Sequence, residues 1–159
     1  MNNKLLKLLE DNAELTHEQL ASMCSCTVEE VRETVRKYEK DGVILGYKTL
    51  IDWDKTDREY VSAIIELKVA PQRDRGFDRV AERIYSYPEV QSLYLMSGGY
   101  DLAVQIEGKT MKEVAFFVAQ KLAPIEDVIS TATHFVLRKY KDKGVIYGVV
   151  DVDERGNCN

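Results

Sequence analysis

Little in this chain invites covalent or metal-based chemistry. Its 159 residues include three cysteines, two histidines, three prolines and one tryptophan. An odd, sparse set of thiols does not build a disulfide framework. Cys24 and Cys26 lie one residue apart with no second pair, and His17 is the nearest other ligand type, so no tetrahedral zinc set is completed. His134 falls in a strand-like run, where a packed or hydrogen-bonded imidazole is the plain reading. Ser/His/Asp arrangements, phosphate-cradling glycine loops and HExxH runs are all lacking. No cofactor, no metal and no enzymatic activity are therefore expected. Apolar runs long enough to span a bilayer, ~20 residues, are also missing. The opening MNNKLLKLLEDN is amphipathic and acid-bearing, unlike a secretory leader. A cytoplasmic protein with no membrane partner is expected. Basic excess is lacking as well, since the formal net charge is −5. Within residues 1–50, seven basic residues stand against nine acidic ones, and five of the seven follow residue 31. Any contact with nucleic acid must rest on local placement of charge, because phosphate affinity comes from Lys and Arg.

Residues 16–47, THEQLASMCSCTVEEVRETVRKYEKDGVILGY, carry the strongest pattern. Thr16 with Gln19, and Thr27 with Glu30, are capping boxes: the hydroxyl takes an orphan N–H at the third helical position and the Gln or Glu side chain returns the bond. Val28, Val31, Val35 and Tyr38 make one buried helical stripe, while Arg32, Arg36 and Lys40 share another face. Gly42 stops that helix. Leu5, Leu6, Leu8 and Leu9 predict a preceding helix ending near Asn12. Val43, Ile44 and Leu45 read as a wing strand pairing with 47–51. The whole reads as a winged helix-turn-helix, a DNA-reading device.

The polar stretch Asp52 to Glu59 reads as a linker anchored by Trp53. Beyond it, Val61, Ala63, Ile65, Leu67 and Val69 alternate as in a half-buried strand closed by Pro71. Phe77, Val80, Ala81 and Ile84 predict a helix broken by Pro88. Residues 90–97 and 100–107 read as strands joined by a two-residue Gly98-Gly99 hairpin. Thr110 with Glu113 is a third capping box, opening a helix with Met111, Val114, Ala115, Val118 and Leu122 that ends at Pro124. Residues 127–138 form the last long strand, with Ile129, Thr131, Thr133, Phe135 and Leu137 on one side and Val128, Ser130, Ala132 and Val136 on the other. The fold class is α+β: an N-terminal winged helix-turn-helix followed by a ferredoxin-like β-α-β-β-α-β sandwich. The predicted divisions are 1–51 for the head, 52–59 for the linker, 60–142 for the sandwich and 143–159 for an extension. In that extension GVIYGVV adds an edge strand and DERGNCN is an unstructured tail. Helices cover one sheet face, and the other, read as largely apolar, predicts a two-fold homodimer.

The run YEKDGVILGY at 38–47 resembles the L-E-x-x-G-V-I-x-G-Y pattern of the Lrp/AsnC family, and MSGGYDLAVQIEG at 96–108 resembles that family's T-G-x-Y-D run. The helix at 110–123 and STATHFVLRKYK at 130–141 follow in the same order, so the resemblance covers roughly residues 3–142. It implies an amino-acid-sensing domain of the RAM type, dimers built through that domain and, frequently, octameric rings.

Two candidate sites follow. Ser25 and Thr27 would donate to phosphates of double-stranded DNA, and Val28, Glu29, Arg32, Glu33 and Arg36 would face base edges, with Lys37 beside them. The plainer alternative is a solvated helix face held by Glu29–Arg32 and Glu33–Lys37 pairs. In the second domain, Gly98 and Gly99 leave backbone N–H groups open to a carboxylate, and Tyr100 and Asp101 follow, Asp101 opposing an α-ammonium. Met96, Ser97, Thr131 and Thr133 complete the amino-acid effector site by family analogy, with a neighbouring subunit closing it. The alternative there is a hairpin and nothing more. The leading function is a sequence-specific transcription regulator modulated by an amino acid. The alternatives are a ligand-binding oligomer with a DNA head that no longer reads DNA, and a siroheme decarboxylase-like enzyme, which would require histidines this chain has few of.

Overall fold

The computed structural model describes residues 2–70 and 76–148. The expected strand end at Pro71 and the tail DERGNCN lie outside these residues. The chain divides into two compact units, Met1–Ile51 and Asp52–Asn159.

The first unit contains α1 (Asn2–Asp11), α2 (His17–Cys24) and α3 (Val28–Lys40). Both predicted capping boxes form. The Gln19 N–H donates to Thr16 Oγ1 at 3.3 Å while Thr16 N–H donates to Gln19 Oε1 at 2.8 Å. Thr27 and Glu30 repeat the exchange at 3.2 and 2.8 Å. The two helices also end alike. At the close of α3, Gly42 N–H reaches Glu39 C=O and Val43 N–H reaches Tyr38 C=O, with Gly42 left-handed at φ 69°. At the close of α2, Ser25 N–H reaches Ser22 C=O and Cys26 N–H reaches Ala21 C=O, with Ser25 at φ 57°. Each is a Schellman closure, but the second places a side-chain-bearing residue where glycine is cheapest, at a cost of about 1 kcal/mol. Leu5, Leu20, Ala21, Val31 and Val35 are the buried core, with Leu8, Leu9, Val28, Tyr38 and Ile44 packed around it.

The expected wing ladder is absent: no strand is assigned over 43–51. Ile44 tucks against the helices, but Leu45 is 93% exposed, and Val43 and Tyr47 are about half exposed. Val43 and Ile44 N–H both turn back to Tyr38 C=O, so the start of the run continues the helix cap instead of offering a strand edge. A two-stranded ribbon without a packed face has little to hold it.

The second unit is a four-stranded antiparallel sheet with helices on one face: β1 (Val61–Val69), α4 (Asp78–Tyr85), β2 (Val90–Leu95), β3 (Leu102–Gly108), α5 (Met111–Phe117) and β4 (Val128–Phe135). The strand order is β2-β3-β1-β4, the ferredoxin-like arrangement. Central β1 pairs with β3 from Val61↔Gly108 to Leu67↔Leu102, and with β4 from Ala63↔Phe135 to Val69↔Val128. Its period-2 alternation buries Ala63, Ile65, Leu67 and Val69 against Val80 and Ile84 of α4, Val114 and Phe117 of α5, and Val118, Leu122 and Ile125 beyond. β5 (Lys141–Asp142) and β6 (Val145–Ile146) form a separate short hairpin. The expected edge strand is thus realised only within this hairpin, and Val149 and Val150 lie outside the described residues.

Four local expectations are corrected. The Gly98-Gly99 connection is a six-residue loop, Met96–Asp101, and not a two-residue hairpin; the last β2–β3 pair is Leu95↔Leu102. Neither glycine has the positive φ that a primed turn requires. Thr110 caps α5 by accepting from Glu113 N–H at 3.2 Å, but the Glu113 carboxylate takes Lys109 N–H at 2.7 Å, so the box is not reciprocal. After Phe117 the helix widens into a π turn, Val118–Leu122, whose extra residue shifts the buried stripe. Phe117, Val118 and Leu122 are buried while Met111 and Ala115 are exposed. In β4 a bulge falls between the Lys68↔Ser130 and Val69↔Val128 pairs. It turns Ile129 outward, 67% exposed, and Val128 inward, reversing their predicted faces. The uncovered sheet face is also more polar than expected: Ile64 and Tyr94 share it with Glu66, Gln105 and His134, and His134 Nε2 stands 3.5 Å from Glu66 Oε1.

Candidate DNA-reading surface and effector site

The three residues Ser25 to Thr27 join α2 to α3, the spacing of a helix-turn-helix. Burial of Val31 and Val35 fixes the rotation of α3, so Glu29, Glu33, Arg36, Lys37 and Lys40 lie exposed. Among the described residues neither Arg36 nor Lys37 is held in an ion pair, so both are available to phosphates or base edges. The expected Glu33–Lys37 pair does not form, whereas Glu29–Arg32 does, at 2.8 Å. Arg32 is thus drawn back along its own helix. The four acidic and four basic residues of α3 cancel, so its reach toward DNA depends on which side chains are free.

Two predicted contacts are corrected. Val28 is half-buried in the head core and does not face outward. The Thr27 hydroxyl donates to Glu30 Oε2 at 2.9 Å while accepting Glu30 N–H, which engages it in the cap and not with phosphate. Those bonds, the backbone one first, hold the Glu30 carboxyl below the usual carboxylate range. Ser25 is exposed at the turn. Desolvation, then the charges of Cys24 and Glu30, push the Cys26 thiol up, away from a reactive thiolate. Among the described residues no three His, Cys, Asp or Glu converge as metal ligands.

In the sheet unit, the loop Met96–Asp101 lies beside the end of β1. Asp101 N–H donates to Leu67 C=O at 2.9 Å and its Oδ2 accepts Val69 N–H at 2.8 Å. The carboxylate therefore extends the β1–β3 ladder past its last pair while lying only partly buried. Met96, Ser97, Gly98 and Gly99 are exposed and Tyr100 is half-buried. A Cβ at Gly98 or Gly99 would meet nothing within 4 Å, so the backbone there is open to an approaching group. Thr131 and Thr133 pair with Leu67 and Ile65 on the other side of β1. The fold brings the six loop residues and Thr131 to one end of the sheet with β1 between them, about two strand spacings or ~10 Å apart. Thr133 lies two residues farther in.

Sequence reasoning missed a larger cavity, about 980 Å³, at the opposite end of the same sheet, lined where β1 begins, β3 ends and α5 passes. A second, of about 310 Å³, lies between α4 and β2. The signals for the first were present but dispersed: Arg58, Glu89 and Lys121 are far apart in sequence.

A helix-turn-helix unit followed by a ferredoxin-like ligand-binding unit defines a transcription regulator of the one-component kind. Residues 62–146 match the Lrp/AsnC ligand binding domain. The chain is 47% identical over 153 residues, 96% of its length and 92% of the relative's, to the uncharacterized HTH-type transcriptional regulator YugG of Bacillus subtilis (strain 168). It is 28% identical over 139 residues, 87% of this chain and 88% of the relative, to a leucine-responsive regulatory protein of Rhizobium meliloti (strain 1021). The chain belongs to the Lrp/AsnC family of transcription regulators. Its fold matches a transcriptional regulator NMB0573/L-Met complex from Neisseria meningitidis with TM-score 0.70 at 22% identity, covering 87% of this chain and 89% of that one. E. coli AsnC matches with TM-score 0.65 at 20% identity, over 86% and 89%. Among the described residues no helix is long and apolar enough to cross a membrane.

Proposed function

We propose that the protein binds double-stranded DNA through α3, with Arg36 and Lys37 as its free cations, Arg32, Glu29 and Glu33 as adjustable partners, and Ser25 at the phosphate-facing turn. Amino-acid binding at the Met96–Asp101 loop modulates that interaction. The carrying observation is the exposed, unpaired Arg36–Lys37 pair on the helix whose rotation the Val31–Val35 stripe fixes. An arginine there can fork onto guanine, while a lysine contributes charge to phosphate. Salt-dependent anisotropy on the regulator's own upstream DNA, with Arg36→Ala as comparator, tests this.

For the effector, the open backbone at Gly98 and Gly99 supports capture of a carboxylate, and Asp101 supports capture of an ammonium with its partly buried carboxylate. Because Asp101 also accepts from Val69 N–H, alanine would disturb β1 as well as charge. Asp101→Asn, which keeps an acceptor, is the cleaner test. A calorimetric screen of the twenty amino acids should find one that binds the parent and not this variant. Retained binding in Asp101→Asn would remove the site. We further propose a homodimer through the uncovered sheet face at Ile64 and Tyr94, assembling to an octamer in the cytoplasm and acting as a regulator without catalytic turnover. The charge balance of α3 favours one other reading, a ligand-binding oligomer whose head no longer reads DNA. Absence of DNA binding at low salt would select it.

A further inference from the structure

The large cavity at the Gly108 end of the sheet is independent of the loop Met96–Asp101, since β3 separates them by its full length from Leu102 to Gly108. Five carboxylates and three cations line it. The cations are already engaged. Lys121 Nζ lies 2.6 Å from Glu89 Oε1 and over the rings of Tyr87 and Phe117 at 5.1 and 5.3 Å. The Arg58 guanidinium stacks 4.3 Å from the centre of the Trp53 ring, with Glu107 at 3.9 Å. The carboxylates are less completely answered. Glu89 Oε2 is enclosed and, among the described residues, has no hydrogen-bond partner. An enclosed acceptor without a donor costs about 1–3 kcal/mol. Glu107 sits across the β2–β3 pair from Glu89, its N–H donating to Glu89 C=O, so two negative side chains are anchored at neighbouring positions. Phe116, 49% exposed, and Tyr60 supply apolar wall.

We propose that this cavity is a second ligand site, taking a small organic cation: a primary ammonium or guanidinium on an apolar stem. The cationic head donates to Glu89 Oε2, and the stem lies along Phe116 and Tyr60, whose ring faces favour positive charge. The excess of carboxylates over cations gives the cavity the matching sign. Lys121 holds Glu89 below the usual carboxylate range, so the acceptor stays charged at neutral pH.

The test is calorimetric titration of the full-length protein with cadaverine and agmatine, alongside 1,5-pentanediol and glutarate as neutral and anionic controls. At least one cation should saturate while both controls fail. Glu89→Gln, which can still bond Lys121, should weaken binding at least about tenfold, and Glu107→Gln should weaken it less. Asp101→Asn should leave it unchanged, which separates this site from the proposed effector loop. No saturable binding by either cation, equal binding of a control, or full affinity in a Glu89→Gln protein with parental circular dichroism would each overturn the proposal. Loss of cation binding in Asp101→Asn but not in Glu89→Gln would place the ligand at the loop and overturn it equally.

Discussion

The two units bury their apolar surface on different scales. The helical unit holds five buried apolar residues, the sheet unit a cluster of fourteen. With a core that small, capping and turn chemistry matter more in the head, because each contributes a larger share of a smaller total. Two reciprocal capping boxes and two Schellman closures are concentrated there. In the sheet unit, long-range register supplies the order, and irregularities such as the β4 bulge and the π turn after α5 are tolerated because neighbouring residues are buried on β1 and α4. The head is expected to unfold first, and the variants below break or sharpen that contrast.

The largest effect is expected from Leu20→Ala. Leu20 is fully buried in the five-residue core, and its truncation should cost about 3 kcal/mol or more. Thermal unfolding followed by circular dichroism should then show the helical unit melting early while the oligomer persists on size exclusion. A single, jointly shifted transition would mean that the two units share one cooperative core. Arg36→Ala should weaken specific DNA binding by about 1–3 kcal/mol and relax sequence preference, whereas Lys37→Ala should weaken all sequences alike and flatten the salt slope. Thr27→Ala, which removes the hydroxyl side of the α3 box, should cost about 1 kcal/mol in head stability. The smallest effect is a gain: Ser25→Gly relieves the left-handed residue closing α2 and should stabilise the head by a few tenths to about 1 kcal/mol in denaturant melts.

Acid should also separate the units. Glu30 in the head and Glu89 in the sheet unit both have depressed folded-state values, so each contributes stability present above the ordinary carboxylate range and lost as pH falls through its folded value. In the head that contribution runs through the Thr27 cap, and Glu30→Gln should flatten the acid limb of its melt; in the sheet unit Glu89→Gln should do the same.

Much of this was legible in the residues. The hydroxyl-to-carboxamide and hydroxyl-to-carboxylate spacings at Thr16 and Thr27 predicted helix starts, and the alternation from Val61 to Val69 gave β1 its inward face. What escaped the sequence reading lacked a local signal. Ser25 takes a left-handed turn without glycine, so nothing marks it. The bulge at Ile129 carries neither Gly nor Pro and is set by pairing with β1. Gly98-Gly99 looks like a tight turn, but Asp101 is drawn to Leu67 and Val69, which opens the connection to six residues. Phe117 falls out of the expected stripe because the π turn shifts the period. For the sites, exposure of Arg36 and Lys37 was readable from the valine stripe, whereas capture of Thr27 by its own cap and of Arg32 by Glu29 required coordinates.

The most direct test of the account is fluorescence anisotropy of the intact protein on its own upstream DNA against scrambled DNA across a salt series. A preference of roughly 100-fold or more that persists as salt rises, and falls in Arg36→Ala, is the predicted result. Equal and salt-labile binding to both DNAs, or none, would contradict a reading head on this regulator.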